Sequence, residues 1–246
     1  MTKDTLSFIY EIRSTSGDTA PVRFEVLLDG DTLNHRRVLR EDPPAWAHLD
    51  HHQCRNCPLN IAEHPYCPVA LSLVELVERF EQLVSFAEVE VTVKTRERSY
   101  HKITTMQQAL SSLVGLHMAT SGCPTLDLLK PMARFHQPFA TREDTVFRAA
   151  STYLLRQYFR KKRGEPADMN LEGLRAAYQG IHNINVAMAD RLRSVSRGDA
   201  HINAIVILDL FAQEVPMTIA DNLRDIDYLF EDVSEDDGDQ RDAAAT

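Results

Sequence analysis

The chain has 246 residues, 43% of them hydrophobic, and a formal net charge of −9 at pH 7. That length and apolar content can bury a core without disulfides or metal, as one large domain or two closely packed small ones. An acidic chain with no broad basic surface is a poor nucleic-acid binder, and no uninterrupted apolar run reaches bilayer length, so neither of those partners is expected.

Met1-Thr2-Lys3-Asp4-Thr5 leads directly into a strand-like pattern with no signal-peptide features, which places the chain in the cytosol. Ser7 to Arg13 and Val22 to Leu28 alternate apolar and polar residues as strands do, with Ser14 to Pro21 as the turn between them. Asp42-Pro43-Pro44 then opens an irregular stretch rich in His and Cys. Pro68 stands at the first position of a predicted helix, with Cys67 in the capping place. That helix is expected to run to about Ser85, with Leu73, Leu76, Val77, Phe80 and Val84 on one face. Glu88 to Val93 alternates without a break and Glu97 to Ile103 can return as its hairpin partner. Thr105 to Ala119 reads as a helix with Met106, Leu110, Leu113, Val114 and His117 on one side, ending at Ser121-Gly122.

Everything beyond Cys123-Pro124 reads as helical. Thr141 and Asp144 have capping-box spacing before a helix expected to bury Val146, Phe147, Ala150, Tyr153 and Leu154. Gly164-Glu165-Pro166 separates it from a long helix lined by Leu171, Leu174, Tyr178, Ile181, Asn185, Met188 and Leu192. A last helical region reaches about Phe230, with an interruption expected at Pro216. The expected fold is α+β: two hairpins joined in a four-stranded antiparallel sheet with packed helices, then a helical C-terminal half. Residues 1–130 form the α+β metal-binding half and residues 131–230 the helical half packed on it as one unit. Residues 231–246 form an acidic tail, in which seven acids from Glu231 to Asp242 face only Arg241. A segment of that composition cannot bury enough apolar surface to order itself.

The chemistry lies in the cysteines. There are four, Cys54, Cys57, Cys67 and Cys123, three of them followed by proline, and His48, His51, His52 and His64 crowd the first group. A CxxC with two further cysteines in a reducing compartment reads as one four-thiolate metal site. Cys67 at a helix start adds the positive end of the helix to a third anionic sulfur. Zinc suits a closed structural site of this kind, while Cys-Pro after a ligand and the apolar neighbours Tyr66, Val69 and Leu126 also suit a [4Fe–4S] cluster. His52 and His64 are candidates for outer-sphere support, and His117 for a substitute ligand. The Asp50-His51-His52 triplet also spells the DHH of a phosphoesterase superfamily, but the further strand-borne aspartates of those enzymes are missing.

Arg134-Phe135-His136-Gln137-Pro138-Phe139 joins polar and aromatic groups between the halves, where a cleft could hold an anion at Arg134 or a reacting group at His136. Arg156, Arg160, Lys161, Lys162 and Arg163 complement the dipole at a helix end. The nine glycines never fall at GxGxxG or P-loop spacing, and GxSxG and HExxH are absent, so common nucleotide, serine-hydrolase and zincin chemistries have no footing.

Four segments, His52-Gln53-Cys54-Arg55-Asn56-Cys57-Pro58-Leu59, Tyr66-Cys67-Pro68-Val69-Ala70, Thr120-Ser121-Gly122-Cys123-Pro124 and Arg134 to Phe139, resemble an uncharacterised bacterial protein family, a domain of unknown function. The resemblance runs from the first hairpin to about Arg160, leaves the acidic tail outside, and implies no reaction. The expected function is that of a cytosolic metal-binding protein with a structural four-cysteine site and a binding or regulatory role toward a protein partner. Two alternatives stand beside it: an iron–sulfur protein in electron transfer or redox sensing, and an enzyme with a site near Arg134 and His136.

Overall fold

Two hairpins build one sheet. In the computed structural model, which describes residues 4–16, 20–37, 40–80, 84–195, 198–221 and 223–230, β1 (Leu6–Ser14) pairs with β2 (Val22–Leu28), and β3 (Glu88–Lys94) with β4 (Ser99–Thr105). β1 and β3 also pair, so the order is β2-β1-β3-β4 with every neighbour antiparallel. The acidic stretch expected over 231–246 lies outside the described residues.

Alternation decides which side of the sheet is covered. Phe8, Tyr10 and Ile12 of β1, Phe24, Val26 and Leu28 of β2, and Val89, Val91 and Val93 of β3 are all buried. The other face carries Glu11, Glu90 and Lys94, with cross-strand pairs Lys94–Glu11 at 2.7 Å and His101–Glu90 at 2.9 Å. A slip of one residue would exchange these sets. On β4 only Thr104 is buried, and Ile103 is exposed, as an edge strand allows.

Helices α1 (Pro68–Phe80) and α2 (Met106–Ala119) pack together against the apolar face. Phe80 of α1 stacks on Phe24 at 6.2 Å between ring centres, and Arg79 lies over the same ring. The predicted apolar side of α2 is buried in full, His117 included. Val84 was expected on the apolar face of α1 but is exposed. The chain turns here to enter β3, held by bonds from Gln107 N–H to Ser85 O and from Met106 N–H to Ala87 O.

The helical half comprises α3 (Lys130–Arg134), α4 (Arg142–Lys162), α5 (Glu172–Arg193), α6 (Ala200–Ala220) and α7 (Arg224–Asp227). The capping box of α4 forms as expected: Asp144 N–H donates to Thr141 Oγ1, and Thr141 N–H donates to the Asp144 carboxylate. Val146 and Ala150 are buried, whereas Phe147 is partly exposed and stacks on Phe230. On α5 the predicted inner residues Leu174, Tyr178, Ile181, Asn185, Met188 and Leu192 are all buried.

α6 packs on α2, α4 and α5 and bridges the two parts of the molecule. It runs through Pro216 without the expected break. Only one backbone donor is lost there, the one that would reach Ala212 O, and the packing of Val215, Thr218 and Ile219 holds the helix through it. By length and composition alone α6 could cross a bilayer; Asn203, Asp209, Gln213 and Glu214 interrupt its apolar residues, so no unbroken run of that length exists. Its inner side is buried at Ala204, Ile205, Ala212 and Val215.

Candidate metal centre

The backbone presents the four cysteines from three places. Cys54 and Cys57 flank a tight turn in which Cys57 N–H donates to Cys54 O at 3.0 Å. Cys67 caps α1 as predicted: its carbonyl accepts from Leu71 N–H at 2.9 Å, while its own N–H donates to Ala47 O at 2.8 Å. Cys123 follows α2 after Gly122, whose φ of 90° reverses the chain at a cost that residues with a Cβ bear poorly. It then starts the short 3-10 turn Pro124–Leu129, with Leu126 N–H donating to Cys123 O. All four are free thiols, Cys123 buried and the others half-buried.

Two arginines gather these segments. Arg37 donates through Nη1 to Pro68 O and to Ser121 O, both at 3.2 Å, and so ties the residue after Cys67 to the approach to Cys123. Arg191 of α5 is 1% exposed and donates to three carbonyls of the segment leading to Cys54: Trp46 O at 2.7 Å, His48 O at 2.6 Å and Leu49 O at 2.9 Å. Asn56, inside the CxxC turn, donates to Gly180 O of α5 at 3.1 Å. A Cβ at Gly180 would stand 3.0 Å from that amide and 3.4 Å from the Thr125 methyl, so glycine lets both cysteine-bearing loops approach the helix.

The four thiols lie within one another's electrostatic reach without being gathered as a ligand set. Burial pushes the Cys54 thiol up to about 12, helped by Cys57, Cys67 and Cys123. Burial also raises Cys123, with Cys67 and Cys57 adding to it against the bonds from Thr125 and Leu126. Burial weakens the basicity of Arg191, and Cys67, Cys54 and Cys57 work in the opposite direction; Arg37 feels Cys67 in the same way. No carboxylate lies within ion-pair distance of Arg37 or Arg191 among the described residues. As placed, no three His, Cys, Asp or Glu side chains among the described residues form a group that could hold a metal ion. The donor chemistry nonetheless fits a thiolate-bound centre. Four thiolates around a zinc ion or a [4Fe–4S] cluster leave a doubly negative unit, and the two guanidiniums within electrostatic reach of the thiols supply the matching charge.

The histidines among the described residues do not gather with the thiols either. His52 and His64 are exposed, and His52 holds a left-handed backbone with φ 49°. His51 pairs with Ser194 Oγ at 3.0 Å and stacks edge-on with His52. His117 is sealed in the core against Phe24 and His35, with neither ring nitrogen hydrogen-bonded. Arg134 is exposed over the Phe135 ring, whereas His136 turns inward to Tyr10, so the two do not converge. The basic end of α4 is satisfied locally, with Arg163–Glu165 at 2.6 Å and Arg160 bonded to Pro166 O.

Sequence reasoning missed Arg37, Arg191 and the Asn56–Gly180 contact. For Arg191 a signal was present: with Ile184 and Met188 it continues the buried face of α5, and a charge on an apolar helix face asks for a buried counter-charge. Comparison with curated proteins and comparison with solved structures each return no match. The model of the family described as a domain of unknown function, DUF6901, matches residues 8–231, and the chain belongs to that family.

Proposed function

We propose that this protein is a cytosolic metal-binding protein in which Cys54, Cys57, Cys67 and Cys123 hold a structural metal centre, and that the centre orders a surface for a binding or regulatory role. One observation carries this reading. From Asp50 to Tyr66 no residue is buried and no helix or strand forms, yet two of the four thiols, Cys54 and Cys57, lie in this stretch. A long irregular segment without its own core needs another fastening, and a metal on four thiolates ties it to α1 and to the end of α2. Arg191 and Asn56 extend that fastening to α5. A closed zinc site leaves no open position for substrate, which is why the proposed role is structural.

A second reading, a [4Fe–4S] centre serving electron transfer or redox sensing, draws on the three Cys-Pro steps and on the two cations beside the sulfurs. Metal and acid-labile sulfide content, with an absorption spectrum of anaerobically purified protein, tests both. About one zinc per chain without sulfide supports the structural reading. Iron with matching sulfide and broad visible absorption transfers the proposal to redox chemistry. Neither metal in protein purified with its thiols reduced, or full metal content in Cys123→Ser, refutes the four-cysteine centre.

A further inference from the structure

We propose that the open cavity lined by α2, α4, α5 and α6 is a binding site for a small carboxylate with an apolar body, about the size of benzoate, whose carboxylate is received by Arg148 and Tyr178.

The cavity measures about 180 Å³. That is below the roughly 300–1,000 Å³ of sites for drug-sized ligands, but an apolar cavity of about 150 Å³ is enough for a benzene ring. Its walls are mainly apolar: Leu116, Met132, Phe139, Ile181, Leu208 and Phe211 contribute from five parts of the chain. Polar groups among the lining, Arg148 and Tyr178 included, are what could orient a ligand there.

The charge of these groups selects the ligand. Arg148 is the only Lys or Arg on the cavity wall, and no Asp or Glu lines it among the described residues. One nitrogen of Arg148, Nη2, donates to Met132 O at 2.9 Å and Phe135 O at 3.1 Å. Its Nε and Nη1 have no partner among the described residues, and no carboxylate pairs with it. Asp144, one helical turn earlier, is occupied by the Thr141 amide and hydroxyl at the start of α4. Tyr178 is 4% exposed as a residue and lines the cavity, and its hydroxyl is not among the buried atoms left without a partner, so it is open to the cavity. Burial raises its pKa, so it remains a neutral donor. His136 adds no charge: burial pushes it down to about 3, and its Nε2 is taken by the Tyr10 hydroxyl. A half-buried cation and an accessible phenol, in a cavity without an anion of its own, are complementary to a carboxylate.

The test uses the purified full chain and ligand-observed NMR titration with benzoate, and with benzamide as the neutral ligand of the same shape. Benzoate is expected to saturate and to bind at least about tenfold more tightly than benzamide. Tyr178→Phe should weaken benzoate about tenfold and benzamide less, and Arg148→Gln should weaken benzoate by about a hundredfold. Arg148 also caps two carbonyls, so Arg148→Gln is read only if circular dichroism shows native helix; Tyr178→Phe and the benzamide comparison decide the matter without it. Equal affinity for the two ligands, no saturation by benzoate, or an unaltered Tyr178→Phe overturns the proposal, and in the second case the cavity holds only water. The metal centre plays no part in this outcome.

Discussion

Arg191 is the only Lys, Arg, Asp or Glu buried among the described residues. It holds the carbonyls of Trp46, His48 and Leu49, and Cys67, Cys54, Cys57 and Asp50 lie within its electrostatic reach. Arg191→Met keeps much of the apolar stem but strips the buried Trp46 and Leu49 carbonyls of the donor Arg191 supplies and leaves His48 O to the His51 amide. Each orphaned group costs about 1–3 kcal/mol, and relaxation of the loop recovers part of that, so a loss of about 3–5 kcal/mol is expected in denaturant unfolding. Metal retention under chelator should fall with it; unchanged retention would mean that Arg191 supports the loop and not the thiolates. A second residue-scale consequence concerns acid. Burial holds His117 down to about 3, with His35 adding to it, and His35 down to about 4, with Arg37 adding to it, from an ordinary value of 6.5. The unfolded chain takes up these protons below pH 6.5 and the folded chain does not. Stability is therefore full above that pH and falls as pH is lowered toward the folded values. Between pH 7 and pH 5 His117 alone should account for a loss on the order of 2 kcal/mol, and His117→Leu should flatten the profile over that interval. An equal slope in wild type and variant would assign the acid sensitivity elsewhere.

Local rules govern the elements where one sequence pattern meets one partner. The start of α4 is such a place: Thr141 and Asp144 satisfy each other's backbone groups at an exposed terminus. Thr141→Ala should cost about 1 kcal/mol in thermal or denaturant unfolding, without altering the metal content; a null effect would mean that α4 is held by its packing alone. The strands were legible for the same reason. Alternation in Phe8-Ile9-Tyr10-Glu11-Ile12 and in Val89-Glu90-Val91-Thr92-Val93 fixes the buried face before any partner is known. Element ends set by tertiary contact were not legible. Val84 fits the apolar period of α1, but Ser85 is drawn to Asp199 at the start of α6, 114 positions away, through its amide at 3.0 Å and its hydroxyl at 2.9 Å. Phe147 likewise fits the inner face of α4 and instead stacks outward on Phe230. At Pro216 the rule that proline breaks helices yields to packing, because Val215 and Ile219 on either side are buried.

At the scale of the whole molecule the sheet and its helices form one continuous core that includes Cys123, and the loop from Asp50 to Tyr66 lies at its edge, touching it through Cys54 and Tyr66. Sequence disclosed the four sulfurs through their spacing and their prolines. It could not disclose Arg37, Arg191 and Gly180, which meet the cysteine-bearing segments only after β2, α5 and the loops have packed. The cavity at Arg148 was hidden for the same reason: its walls come from segments that no local pattern relates. This separation between core and loop leads to a sharp expectation for the proposed metal centre. Removing the metal leaves the apolar contacts of β1, β2 and β3 intact, so global unfolding should be affected less than local opening. Hydrogen exchange on chelator-treated protein should accelerate from about residue 45 to residue 67, around Cys123 and in the last turns of α5, where Arg191 sits. The amides of the β1–β3 ladder should keep their protection. If the whole sheet loses protection together with the loop, the metal is a condition for folding the entire domain; if the loop amides exchange at the same rate with and without metal, the thiols do not hold that loop in place. The intermediate result, a loop released from a persistent core, would mean that metal occupancy controls the order of this one surface while the rest of the protein stays folded, which is what a regulatory binding surface requires.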